Sequence, residues 1–168
     1  MREREGPIAE RWEGEGLMPI QFELVTPERL LISTEVEMVV VPGSEGNFGV
    51  LPGHAPLIST IRPGTIDIYQ GQAITERIFV VGGIAEVTPE RCTVLADEAM
   101  PPDSLDRGAL DAELTEIEGN LPSLREQAAR ATGADRERLS AELRHLERRQ
   151  AVARAKLQVL QELPETRR

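Results

Sequence analysis

The chain has 168 residues, 29 of them acidic against 19 basic, for a formal charge of −10 at pH 7. That balance argues against a free-standing nucleic-acid binder, whose affinity rests on cations meeting phosphate, and an aromatic content of 3% argues against a base-stacking platform. A single cysteine, Cys92, excludes an internal disulfide and a multi-cysteine zinc site and fits a reducing compartment, while no apolar run approaches the ~20 residues needed to cross a bilayer.

Residues 1–17 alternate charge with glycine and hold no sustained period, so they are expected to be a disordered extension, with the functional chain starting at Met18. Trp12, the only tryptophan, has no partner face in that stretch. Residues 18–102 read as short strands. Ile20, Phe22 and Leu24 alternate with Gln21 and Glu23. Val36, Met38 and Val40 alternate with Glu35 and Glu37, and Ile66 and Ile68 flank Asp67. Period two places one face on a core and one in water. Ile78–Val81 and Cys92–Leu95 are denser and expected to be more buried, with Cys92 a small core residue. Pro and Gly pairs recur between the runs, as at Pro42-Gly43, Pro52-Gly53, Pro63-Gly64 and Gly82-Gly83, which is the punctuation of an antiparallel β-sandwich or flattened barrel.

After Pro101-Pro102 the period changes. Leu110, Leu114, Ile117, Leu121, Leu124, Ala128 and Ala131 follow a 4-3 spacing, and Leu139, Leu143, Leu146, Gln150, Ala153, Leu157 and Leu160 repeat it. Each series is a heptad seam on a helix. Residues 132–135 form the turn, with Asp135 the expected N-cap of the second helix, so residues 103–163 should close as an antiparallel two-helix hairpin before a tail at 164–168. Pro122 lies inside the first seam and is expected to kink or restart that helix. Residues 103–131 hold 3 basic and 7 acidic groups and residues 134–163 hold 7 and 5, so the two helices attract.

No pattern of catalytic chemistry stands out. His54 and His145 are the only histidines, and neither has a metal-ligand or nucleophile partner spacing such as HExxH or GxSxG. The loop Gly43–Gly49 has three glycines, but a strand follows it rather than a helix N-terminus, so its glycines are expected to serve positive-φ turns instead of phosphate. Residues 142–160 carry 5 basic and 2 acidic groups, among them Arg144, Arg148 and Arg149, which suit either the acidic neighbouring helix or an acidic partner.

The segments GSEGNFGVLPGHAPLISTIRPG (43–64), FVVGGIAEVTPERCTVLADEA (79–99) and MPIQFELVTPERLL from Met18 resemble the epsilon subunit of F-type ATP synthase, counterpart of mitochondrial delta, over essentially residues 18–163. The resemblance implies a sandwich followed by a helical hairpin. It also implies a non-catalytic rotor subunit of the central stalk that holds gamma and the c-ring and couples their rotation to ATP synthesis on the beta subunits. Its place would be peripheral, at the cytoplasmic face of a bacterial inner membrane, reached through the complex and not through lipid. Ser44, Glu45, Gly46, Asn47 and His54 would face the c-ring, with Asn47 standing where members often have an acid. The hairpin would restrain ATP hydrolysis by docking on the alpha/beta subunits through Arg144, Arg148 and Arg149. Some members bind ATP through Ile/Leu-Asp-x-x-Arg-Ala; here Leu105 and Asp106 are kept but Ala109 replaces the arginine, so neither cofactor nor metal is expected. The other readings are a nucleotide-sensing regulatory module and a generic sandwich-plus-coil adaptor.

Overall fold

In a computed structural model, residues 18–163 are described; the expected disordered extension 1–17, the start at Met18 as judged against it, and the tail 164–168 lie wholly or partly outside the described residues. Ten strands, β1 (Ile20–Val25), β2 (Leu30–Val36), β3 (Met38–Gly43), β4 (Gly46–Val50), β5 (Leu57–Ile61), β6 (Gly64–Gln70), β7 (Ala73–Val80), β8 (Gly83–Val87), β9 (Arg91–Ala96) and β10 (Ala99–Met100), precede helices α1 (Arg107–Arg130) and α2 (Gly133–Glu162). The strands form one curled sheet in the order β10-β7-β6-β3-β5-β8-β9-β1-β2, with β4 on β3. Only the pair Gly43↔Ile61 joins β3 to β5, so the sheet folds there into the two layers of a sandwich. Every pairing is antiparallel except β1 against β9.

Alternation builds the core between the layers. Ile20, Phe22 and Leu24 from β1 meet Ile66 and Ile68 from β6, Val80 from β7 and Val94 from β9. In β3 the alternation buries Val39 and Val41, with Pro42 and Gly43 buried after them, and leaves Met38 and Val40 half-buried, the reverse of what the sequence pattern suggested. Glu37 is a bend between β2 and β3 whose carboxylate accepts from the Gly71 amide. The strand phase resets at that bend, so Val36 and Met38 do not continue one alternation. Leu95 is likewise exposed between buried Val94 and Ala96, which makes β9 an alternating strand and not a dense one. Cys92 is buried, and desolvation pushes its thiol up to about 12, which leaves it no nucleophile near neutral pH.

The helices correct two further expectations. α1 is continuous through Pro122. Proline removes one backbone bond, yet Pro122 faces solvent while Leu121 and Leu124 are buried beside it, so seam packing holds the helix across the gap. The N-cap position of α2 belongs to Thr132, and Asp135 falls in the first turn, pairing with Arg138 at 3.6 Å. An acid there still meets the positive end of the helix.

Candidate functional site

Two regions hold the side chains marked in the sequence: the β3–β4 turn, and the seam where the hairpin meets the sandwich. β3 and β4 pair from Val39↔Val50 to Gly43↔Gly46, leaving Ser44 and Glu45 as an exposed two-residue turn. Gly46 has φ 132°, a backbone that suits glycine. Gly43 and Gly49 do not have positive φ. At Gly43 the requirement is space, because a Cβ would stand 2.8 Å from the Gly46 carbonyl and 2.9 Å from the Phe48 ring. The Asn47 side-chain carbonyl accepts from Arg62 Nη2, so a cation stands ready beside the position where an acid was expected.

His54 is elsewhere. It follows β4 at the end opposite Ser44 and Glu45, and the five residues of that strand span about 17 Å at ~3.3 Å each. His54 Nδ1 donates to the Ala55 carbonyl at 2.7 Å, and the loop is tied down by Gly53 N donating to Pro89 O at 2.8 Å. The turn and His54, expected to face one surface together, lie at opposite ends of β4.

The hairpin is closed and seated on the sandwich. Its seam buries Leu110, Ile117, Leu121, Leu124 and Ala128 from α1 against Ala153 and the half-buried leucines of α2. Ion pairs rim it: Arg149 to Glu113 at 2.8 Å, Arg154 to Glu118 at 2.7 Å and Arg125 to Glu147 at 2.9 Å. The hydrogen bond from Arg154, above all, holds the Glu118 carboxyl below its usual range. The charge contrast between the helices thus takes the form of named pairs, each exposed to solvent and individually weak.

α2 has a second apolar stripe that the heptad reading missed. Val152, Ala155, Val159 and Leu163 pack on Phe79, Val81 and Met100, a cluster apart from the sandwich core. Phe79 belongs to the outer face of its sheet, since its β6 partner is Thr65 while neighbouring Ile78 and Val80 point into the core. Lys156 Nζ stands 5.9 Å from the centre of the Phe79 ring. The available signal was the unbroken run Ile78–Val81: both faces of that strand are covered.

Beside this cluster Arg148 reaches Asp97 at 2.8 Å across the boundary. A cleft of about 360 Å³ there includes Asp97, Glu98, Glu113, His145, Arg148 and Arg149 in its lining. Arg148 and Arg149 there already face carboxylates, while Lys156, which also lines the cleft, stands over the Phe79 ring. Arg144 is exposed and has no ion-pair partner among the described residues. Asp106 is the N-cap of α1, its Oδ1 accepting from Ala109 N at 3.2 Å, with Leu105 half-buried just before it. That aspartate therefore has a local structural task. Among the described residues no group of three or more acidic, histidine or cysteine side chains is placed to hold a metal, and no helix is long and apolar enough to cross a membrane.

Residues 19–102 match the family model of the ATP synthase delta/epsilon chain β-sandwich domain. The chain is 54% identical over 114 residues to an ATP synthase epsilon chain of Rhodospirillum rubrum, covering 68% of this chain and 85% of that one. It is 50% identical over 143 residues to an ATP synthase epsilon chain of Rhodospirillum centenum, covering 84% and 91%. In fold it is similar to a chain of the Euglena gracilis mitochondrial ATP synthase OSCP/F1/c-ring structure, with TM-score 0.65 and 18% identity over 95% of this chain and 99% of that one.

Proposed function

The chain belongs to the ATP synthase delta/epsilon family, and from that premise we propose that it serves as a non-catalytic subunit of the rotary central stalk. In this reading the sandwich holds gamma and the c-ring and couples their rotation to ATP synthesis on the beta subunits. The hairpin regulates. The observation that carries the reading is the division of the chain into a sandwich with its own core and a hairpin attached by a smaller, separate apolar cluster. A rigid head can stay bound to a turning shaft while such a hairpin undocks.

The ring contact falls to the β3–β4 turn, Ser44 to Asn47, where exposed short groups sit on a rigid two-strand support. His54 stands at the other end of β4. Undocking α2 from the sandwich releases Arg148 from Asp97, leaving it with Arg144 for an acidic surface on beta. Arg149 is released from Glu113 only when the two helices part. The 30-residue α2 is about 45 Å long at ~1.5 Å per residue, enough to reach from the stalk head toward the catalytic subunits. As the test, ending the chain after Pro102 raises ATP hydrolysis by the assembled complex and leaves assembly intact. Unchanged hydrolysis removes the brake from the proposal, and loss of assembly removes the division of labour.

The nucleotide-sensing alternative fares poorly on chemistry. Ala109 offers no guanidinium to phosphate, Asp106 caps its own helix, and Arg148 and Arg149 are already paired. Calorimetric titration of the isolated chain with ATP is expected to show no tight binding; a tight and selective isotherm reinstates the alternative.

A further inference from the structure

Lys156 is the only lysine of the chain; the rest of the 19 basic groups are arginines. The difference is chemical, because an arginine keeps its charge at every accessible pH while an acylated lysine becomes a neutral amide. The lysine stands where the hairpin rests on the sandwich. Ala155 and Val159 of the same helix pack in the cluster with Phe79, and Lys156 Nζ lies 5.9 Å from the centre of that ring. The side chain is half-buried and lines the cleft of about 360 Å³ beside Asp97 and Glu98. Among the described residues no carboxylate pairs with it, whereas Arg148, Arg149 and Arg154 each hold one. Its ammonium therefore borders open space at the boundary, held by a ring face and not by an ion pair.

We propose that Lys156 is an acylation site, fed by an activated acyl donor of the acyl-phosphate or acyl-thioester class, and that its modification loosens the docked hairpin. The ammonium first loses a proton to water. The Nζ lone pair then attacks the acyl carbon, a C–N bond forms, and the bond from that carbon to the phosphate oxygen or the thioester sulfur breaks. Its electron pair departs with phosphate or thiolate, a second proton leaves the nitrogen, and a neutral amide remains; no redox partner is needed. Before the reaction Arg148, Arg149 and Lys156 balance the cleft's three carboxylates, Asp97, Glu98 and Glu113. Afterwards the acids outnumber the cations, and the attraction between the ammonium and the Phe79 ring is gone. Burial of an acetyl methyl offsets part of this loss, but the ring contact and the charge balance are lost together, so the docked state weakens. The inference needs only the closed hairpin and does not depend on the stalk reading.

The test treats the full chain with acetyl phosphate in one arm and acetyl-coenzyme A in the other, and follows acetylation of Lys156 by peptide mass spectrometry. A free peptide of residues 150–162 is the reference. Lys156 in the folded chain should react within about threefold of the peptide in at least one arm, and the faster arm names the donor. Reaction more than about tenfold slower than the peptide in both arms means a shielded amine and overturns the site. Hydrogen exchange through hairpin undocking is then read near Val159. It should rise about threefold in the acetylated chain and in Lys156→Gln, with β1 and β6 unchanged. Lys156→Arg keeps the charge, cannot be acetylated at this position, and should match the natural chain before and after treatment. A fully acetylated chain with unchanged exchange near Val159 overturns the switch. Lys156→Arg that loosens α2 as much as Lys156→Gln does so too, because shape and not charge would then hold the boundary.

Discussion

A Gly83→Ala chain is expected to melt about 10 °C or more below the natural sequence. Gly83 has φ 137°, a conformation costly for any residue with a side chain. A Cβ there would lie 2.0 Å from the Leu95 carbonyl oxygen and 2.9 Å from Ala96 Cα. Both are backbone atoms of β9, and Gly83 is paired to that strand at Ala96 and to β5 at Ile61. Relief therefore requires moving a strand inside the sheet, not turning a flexible side chain. Strain and displaced pairing together cost about 3–5 kcal/mol, a large share of the ~5–15 kcal/mol that holds a domain folded. Gly119→Ala provides the opposite sign. A Cβ at Gly119 meets nothing within 4 Å, and alanine in a helix interior gains ~1 kcal/mol over glycine. Differential scanning calorimetry of the two variants reads both effects; a Gly83→Ala midpoint equal to the natural one contradicts this geometry.

Gly82 and Gly83 stand where the chain leaves β7 of one layer for β8 of the other, and Asp97 and Glu98 make the parallel passage from β9 to β10. Asp97 N donates to Gly82 O at 2.9 Å and Val81 N to Glu98 O at 3.1 Å, tying the two corners together. This corner presents Val81 to the apolar cluster under α2 and Asp97 to Arg148. The glycine pair thus fixes the sandwich and the docking point of the hairpin in the same few residues.

Much of this fold is legible in the sequence, because period two and period 3.5 are direct consequences of one face being buried. β1 and β6 show it plainly: Ile20, Phe22, Leu24, Ile66 and Ile68 all lie in the core. What stays hidden is where a phase resets. Glu37 looks like one more polar position in an alternation, and only the chain's bend shows that Val39 and Val41 take over the interior. Pro122 and Asp135 mislead for a related reason. Local propensity at each is outweighed by the seam, which needs an unbroken α1 and an α2 starting at Gly133.

The functional surface was less legible. The basic run of α2 was visible, but not its division into Arg149 and Arg154 toward α1, Arg148 toward Asp97, and Arg144 toward solvent. That division needs the position of the sandwich, which no helical period encodes. The second stripe, Val152 to Leu163, is similarly faint, because alanine and lysine interrupt it and the heptad seam dominates the same helix. Leu95 belongs to the dense run expected to be buried, and its exposure beside Ile84 appears only with cross-strand register.

Phe79→Ala should free the hairpin without loosening the sandwich. Phe79 is wholly buried, yet its neighbours are Val159, Val152, Ala155 and Met100 rather than the core between the layers. Truncating a buried phenylalanine costs ~3–5 kcal/mol. Here that cost falls on the docked state, because the undocked state leaves residue 79 exposed in either sequence. At ~1.4 kcal/mol per factor of ten, hydrogen exchange that proceeds through hairpin undocking should speed up at least about a hundredfold near Val159, while β1, β6 and β9 keep their protection. Arg148→Ala is the control for an electrostatic latch. Its pair with Asp97 is exposed on both sides and worth about 1 kcal/mol at most, so exchange should rise by less than about tenfold. If Arg148→Ala frees α2 as fully as Phe79→Ala, charge holds the hairpin and the apolar account fails. If Phe79→Ala instead raises exchange equally in β1 and β9, the two clusters form one cooperative unit, and the hairpin cannot undock while the head stays rigid. The first pattern is the one expected, since the ion pair at this boundary is exposed on both sides while Phe79, Val81 and Val159 are buried.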